Sequence, residues 1–204
     1  MGQKTPTTQR PITLDDINAV DYIDQYKKIE VVDGDWSMAE VPFYRSHDMF
    51  AGGIHSDLMF KLGQFVMENH LGRVYAGSLG FVLKGTRDNI QLMRRTDVSF
   101  FKTENLKHEK QDEPYYRAPD LAVEILSGIA ACGDQADDVF QRVEDFLLHG
   151  TAQVWIVAPS PKQILVFLSG GTVGIYRSGD TLPGGDLLPG FSLDVGAVFE
   201  EFNG

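Results

Sequence analysis

Cysteine occurs once in the 204 residues, at Cys132. A lone thiol excludes an internal disulfide framework, and with no CxxC pair or Cys/His cluster there is no zinc-site spacing either. No apolar run is long enough to span a bilayer. The opening stretch, MGQKTPTTQRPITLDD, lacks the apolar core of a secretory signal, so a cytoplasmic protein with no membrane partner is expected. Positive charge is scarce as well: 18 Lys and Arg stand against 29 Asp and Glu, for a net charge of −11. A protein that grips nucleic acid by broad electrostatics carries the opposite surplus. Any contact with phosphate must then run through a local basic patch or through divalent cations. Several catalytic signatures are also missing: there is no GxxxxGK[ST], no strand-linked GxGxxG, no HExxH and no GxSxG elbow.

What remains is an ordinary globular composition of a length that suits one domain. Residues 1–15, polar and with two prolines, read as a flexible lead-in, and 16–204 as a single domain. LDDINAV suggests a short helix, and the stretch through VVDGDW a hairpin turning at Asp33-Gly34. In GGIHSDLMFKLGQFVMENHLGR, the residues Ile54, Leu58, Leu62, Phe65 and Val66 recur at helical spacing, with Gly72 as a stop. Strands are predicted at RVYAGSLGFVLKG, NIQLMRRTDVSFFK and DLAVEIL. A second helix follows from a cap at Asp134 to a stop at Gly150, and then come AQVWIVA, QILVFLS and GTVGIYR. This order of helix, three strands, helix and further strands predicts an α/β (α+β) fold in which helices flank a mixed central sheet.

The chemistry concentrates in acidic residues. In APDLAVEILS, strand alternation sends Leu121, Val123 and Ile125 one way and Asp120, Ala122 and Glu124 the other. Two carboxylates on one half-buried face call for a cation or donors. In RRTDVSFFK, Asp97 and Ser99 share a face, and if the two strands pair, Asp97 can approach Glu124. Converging carboxylates suit a hard cation of the Mg²⁺ type, although spacing alone favours turn chemistry and a solvated Glu. Arg142 sits at the margin of its helix's apolar stripe, where spacing favours a solvent-facing ion pair with Asp138 or Asp145. His55 falls within the apolar stripe of the first long helix, a position open to a core histidine or to one lining a cleft.

Taken in order, these motifs resemble the Uma2 family of restriction-endonuclease-like proteins, from about Tyr26 to Phe199. VVDGDW is similar to the family's early hairpin, and IHSDLMFKLGQFV to its helix beginning with a His. GFVL and RRTDVSFF resemble its next strands, and APDLAVEILS matches its second acidic signature almost residue for residue. VEDFLLHGTAQVWIVAP and GDTLPGGDLLPGF complete the set. The resemblance implies the PD-(D/E)xK nuclease fold with additional hairpins in the N- and C-terminal parts. It further implies Mg²⁺ or Mn²⁺ held by Asp97 and Glu124 with Asp120 beside them, and a His55 that lines the cleft. The implied activity is hydrolysis of phosphodiester bonds in nucleic acid, DNA in the first instance, by a possible homodimer. The family itself departs from the usual nuclease pattern, with Leu126 here two residues after Glu124 where such nucleases carry lysine. The chain departs from the family at three further places, the first being Arg142 at the helix position where family members place a lysine. Thr96 replaces a proline, and SGIAACGD replaces SPSD. Arginine retains the charge but cannot act as a base, so a nuclease-fold binding module without turnover is the alternative expectation.

Overall fold

The computed structural model describes residues 10–23, 27–40, 49–106, 115–126 and 135–200. Cys132 and the expected cap Asp134 lie outside these residues.

Helix α1 (Leu14–Ile23) is followed by the hairpin β1 (Lys27–Val32) and β2 (Asp35–Glu40). Its two-residue turn puts Asp33 at φ 51° and Gly34 at φ 79°, the doubly left-handed turn whose twist matches a hairpin. After helix α2 (Met49–Glu68) come the long strands β3 (Gly72–Thr86) and β4 (Asn89–Lys102), then β5 (Leu121–Ile125) and helix α3 (Gln135–Leu148). Strands β6 (Gln153–Ala158), β7 (Gln163–Leu168) and β8 (Val173–Arg177) complete an eight-stranded sheet ordered β2-β1-β4-β5-β6-β7-β8, with β3 on the other edge of β4. Only β5 and β6 run parallel, joined through α3; the other pairings are antiparallel. A small second sheet, β9 (Thr181–Pro183) with β10 (Ser192–Asp194), leads into a single turn of helix, α4 (Val195–Val198). The mixed sheet, the flanking helices and the terminal hairpins are those expected from the sequence.

Each face of the sheet has its own core. Ile54, Leu58, Leu62 and Val66 of α2 pack on Val98 and Phe100 of β4 and on Leu121, Val123 and Ile125 of β5. On the opposite face, Val143 and Phe146 of α3 meet Phe81, Phe101, Ala122, Val154 and Ile156. β5 is therefore buried on both sides, which is why its polar positions cannot be ordinary surface.

Two sequence expectations change. Part of the predicted lead-in is structural: Ile12 and Leu14 are buried with Ile17, Ile90 and Met93. Thr13 and Asp16 cap α1 reciprocally, with Asp16 N–H donating to Thr13 Oγ1 and Thr13 N–H to Asp16 Oδ2. Gly72 is not the stop of α2, which ends at Glu68, before a turn in which His70 adopts φ 54°. Gly72 opens β3, and a Cβ there would collide with the carbonyl oxygen of Phe101, so the glycine permits the close approach of β3 to β4.

Candidate metal and phosphate site

Because β3 accompanies β4 along its whole length, β1 and β5 must both meet the other edge of β4. β1 does so at Met93 and β5 at Val98 to Phe100. Residues 94–97 lie between these two junctions, and the site forms there.

The β4–β5 register pairs Val98 with Val123 and Ser99 with Ala122. One step further, Asp97 stands opposite Glu124. Here the side chain of Asp97 replaces the ladder, with Oδ2 accepting the Ile125 N–H at 2.7 Å. Directly opposed side chains of antiparallel strands have Cβ atoms about 4.5–5.5 Å apart, so the two side chains leave their strands from neighbouring positions. Both are buried, Asp97 with 5% and Glu124 with 7% of its surface exposed. Glu124 shares the α3 face with Ala122. The two strands pair, and their register extended by one step sets Asp97 across from Glu124.

Asp120 goes elsewhere. At about 3.3 Å per strand residue, it lies roughly 13 Å along β5 from Glu124, so sharing a face does not make the two neighbours. Its Oδ2 accepts the Lys102 N–H at 2.8 Å, and its Oδ1 accepts Asn105 Nδ2–H at 2.6 Å. Those bonds fasten the start of β5 to the end of β4.

His55 approaches from α2. Its Nε2–H donates to the Asp97 carbonyl oxygen at 3.1 Å; since a carbonyl only accepts, this bond places a proton on Nε2. The histidine of the apolar stripe thus touches the backbone of the first acidic residue from beneath the sheet.

Arg142 differs from its expected surface role. It is 5% exposed. Its Nε–H donates to Asp138 Oδ2 at 2.8 Å, the anticipated partner, and its Nη1–H to Glu30 Oε1 at 2.6 Å. Burial alone would lower its pKa, but the charges of Glu30, Glu124 and Asp138 outweigh that and hold it above the ordinary value. A charged guanidinium thus lies within electrostatic reach of Glu124.

Two residues of this region were not singled out from the sequence. Glu30 of β1 is fully buried, and its carboxylate accepts from Arg94 Nη1, the Arg95 backbone N–H and Arg142 Nη1. Arg94, 1% exposed, in turn reaches Asp145 through Nε and Nη2 at 2.8 and 2.7 Å. Asp145, one of the two expected partners of Arg142, therefore serves Arg94 instead. Strict alternation along β4 would put Arg94 on the face opposite Asp97. The observed contacts differ, because Arg94 bonds Glu30 and Asp145 of α3. Arg94 ends up paired with Phe81 on the α3 side. Even then, the one available signal was weak: a Glu amid the apolar residues of KKIEVV, as Asp97 and Glu124 are in their own strands.

Among the described residues, no group of three or more His, Cys, Asp or Glu side chains gathers as a metal cage. A pair of neighbouring carboxylates still fits a hard divalent cation, since Mg²⁺ is commonly held by one or two carboxylates with water and substrate phosphate completing its octahedron. An anionic carboxylate has about four acceptor positions, and at Asp97 the bond from Ile125 takes one of them. No described helix is long and apolar enough to cross a membrane.

Comparison with known proteins agrees with this architecture. No curated protein matches the sequence. Among solved structures, the chain is similar to the crystal structure of "a putative nuclease belonging to DUF820" from Anabaena variabilis. The TM-score is 0.67 at 18% identity, over 93% of this chain and 98% of that one, a likeness of fold. The model of the family described as "Putative restriction endonuclease" matches residues 19–196. With most of its length so matched, and with the paired acidic strands in their expected order, the chain belongs to the Uma2 family.

Proposed function

We propose that this protein is a metal-dependent endonuclease that hydrolyses phosphodiester bonds of nucleic acid, DNA in the first instance, with Mg²⁺ or Mn²⁺ held by Asp97 and Glu124. The observation that carries this reading is the opposition of these two buried carboxylates across β4 and β5, on the face that α3 covers with Arg142. A divalent cation bound there supplies a water of lowered pKa and Lewis-acid stabilisation of the scissile phosphate.

The chain's own groups have separable tasks. The Ile125 N–H orients the Asp97 carboxylate, and His55 fixes the backbone of the same residue. Arg142 stays protonated, so it cannot accept a proton from water; its positive charge can stabilise the charge that builds on a phosphate in the transition state. Asp120 has no part in this reading, its carboxylate being committed to Lys102 and Asn105. Cutting both strands of a duplex takes two such sites, so the reading includes a homodimer, acting in the cytoplasm.

A second reading, a binding module without turnover, is favoured by one observation. The cation in the lysine position is tied to Glu30 and Asp138 and brings no base. Incubation of supercoiled plasmid and short duplexes with Mg²⁺ or Mn²⁺ separates the two. The wild type is expected to cut, and Glu124→Gln to lose the activity. Increased cleavage by Arg142→Lys would mark an intact but handicapped site. A wild type and an Arg142→Lys variant that both leave every substrate whole would overturn the endonuclease in favour of the binding module.

A further inference from the structure

The N-terminal hairpin joins the main sheet through a single ladder step, Val31 to Met93, yet it delivers the most buried carboxylate of the charged region. Glu30 accepts from two arginines and one backbone N–H. Nothing in simple sheet closure requires this. An apolar side chain would seal the β1–β4 junction without the desolvation cost of burying an ion. The arrangement does answer a problem posed by Arg142. Glu124 lies on the face that α3 covers, two residues from Ala122, which packs against Val143, the chain neighbour of Arg142. An arginine in that place is a competitor: its guanidinium can form a bidentate pair with a carboxylate and would then occupy the oxygens a metal needs.

We propose that Glu30, helped by Asp138, is a positioning residue that holds the Arg142 guanidinium off Glu124, so that the arginine does not pair with that carboxylate in place of a divalent cation. Glu30 takes Nη1 and Asp138 takes Nε, so two of the three guanidinium nitrogens are engaged away from the acidic pair. Arg94 supports the arrangement from behind, because its bonds to Glu30 and Asp145 fix the Glu30 carboxylate between β1 and α3. The hairpin thereby becomes part of the site.

The inference rests on the metal-dependent reading above, and calorimetric titration with Mn²⁺ alone tests both separately. Glu30→Gln keeps the shape but removes the charge, and is expected to weaken Mn²⁺ binding roughly 10- to 100-fold, as loss of an outer-sphere support does. The double variant Glu30→Gln/Arg142→Gln removes the competitor as well and is expected to regain at least wild-type affinity. A merely structural Glu30 predicts the reverse, with the double variant no tighter than the single one, and that result overturns the proposal. Unchanged affinity in Glu30→Gln overturns it too. If Glu30→Gln does not fold, Asp138→Asn, at a half-exposed position, gives the same comparison. Weaker Mn²⁺ binding that is rescued by Arg142→Gln supports the proposal, and no change overturns it. A wild type that binds no Mn²⁺, with or without a short duplex present, removes the metal-dependent reading itself and this inference with it.

Discussion

Replacing Arg94 with alanine is expected to destabilise the protein by about 3–5 kcal/mol, the usual cost of removing one partner from a buried ion pair. Two opposed effects decide the size. Bringing a guanidinium into the interior costs several kcal/mol, and its attraction to neighbouring carboxylates offsets that only when the geometry is good. Here Arg94 meets Glu30 at 2.9 Å and Asp145 at 2.7 Å, with its side chain 1% exposed. Removing it recovers none of the desolvation already suffered by Glu30, which lies fully buried. That carboxylate would lose one of its charged partners while still accepting from Arg142 and the Arg95 N–H. A cavity left by the long side chain adds to the loss. Urea unfolding of the variant measures the effect, and a loss below about 1 kcal/mol, the scale of an exposed pair, would show that water reaches this network. Replacing Glu30, Arg94, Arg142 and Asp145 together by apolar residues of similar volume is expected to cost much less, because complete removal of a buried ionic group can be nearly neutral.

At Asp97, alanine and asparagine are expected to fail in different ways. Asp97→Ala removes the acceptor of the Ile125 N–H, and an unsatisfied buried donor costs about 1–3 kcal/mol. Stability and metal binding should fall together. Asp97→Asn retains a side-chain oxygen that can accept the same bond but loses the anionic charge, so the fold should hold within about 1 kcal/mol. Mn²⁺ affinity should nevertheless drop by more than the roughly 10- to 100-fold typical of outer-sphere changes, and cleavage should vanish with it. Calorimetry and thermal unfolding on the two variants read these quantities independently. Full metal affinity in a folded Asp97→Asn would place the cation elsewhere in the molecule, with Asp97 left as a strand-end cap.

The fate of the two carboxylates in APDLAVEILS shows how far sequence reading extends. Alternation correctly assigns Asp120, Ala122 and Glu124 to one face of β5, because strand geometry is local and has period two. It leaves open which neighbours each position meets. Asp120 turned out to be anchored to Lys102 and Asn105, while Glu124, roughly 13 Å away, stands across from Asp97 when the β4–β5 register is extended by one step. Arg142 was readable as a partner of Asp138, one helical turn away, but its burial was not, since that depends on where α3 is laid across the sheet.

The amino-acid sequence by itself determined the elements and their order. It fixed the hairpin at Asp33-Gly34, the apolar stripe that brings α2 and His55 onto the sheet, and the two acidic strands, because turn chemistry and side-chain periodicity operate within a few residues. Only the tertiary structure decided which charges meet. Glu30 and Arg142 stand 112 positions apart in the chain and 2.6 Å apart in space. Arg94 bonds Glu30 and Asp145 on their side, although strict alternation along β4 would send it to the other face. Burial then made those contacts strong, since charges removed from water must satisfy one another.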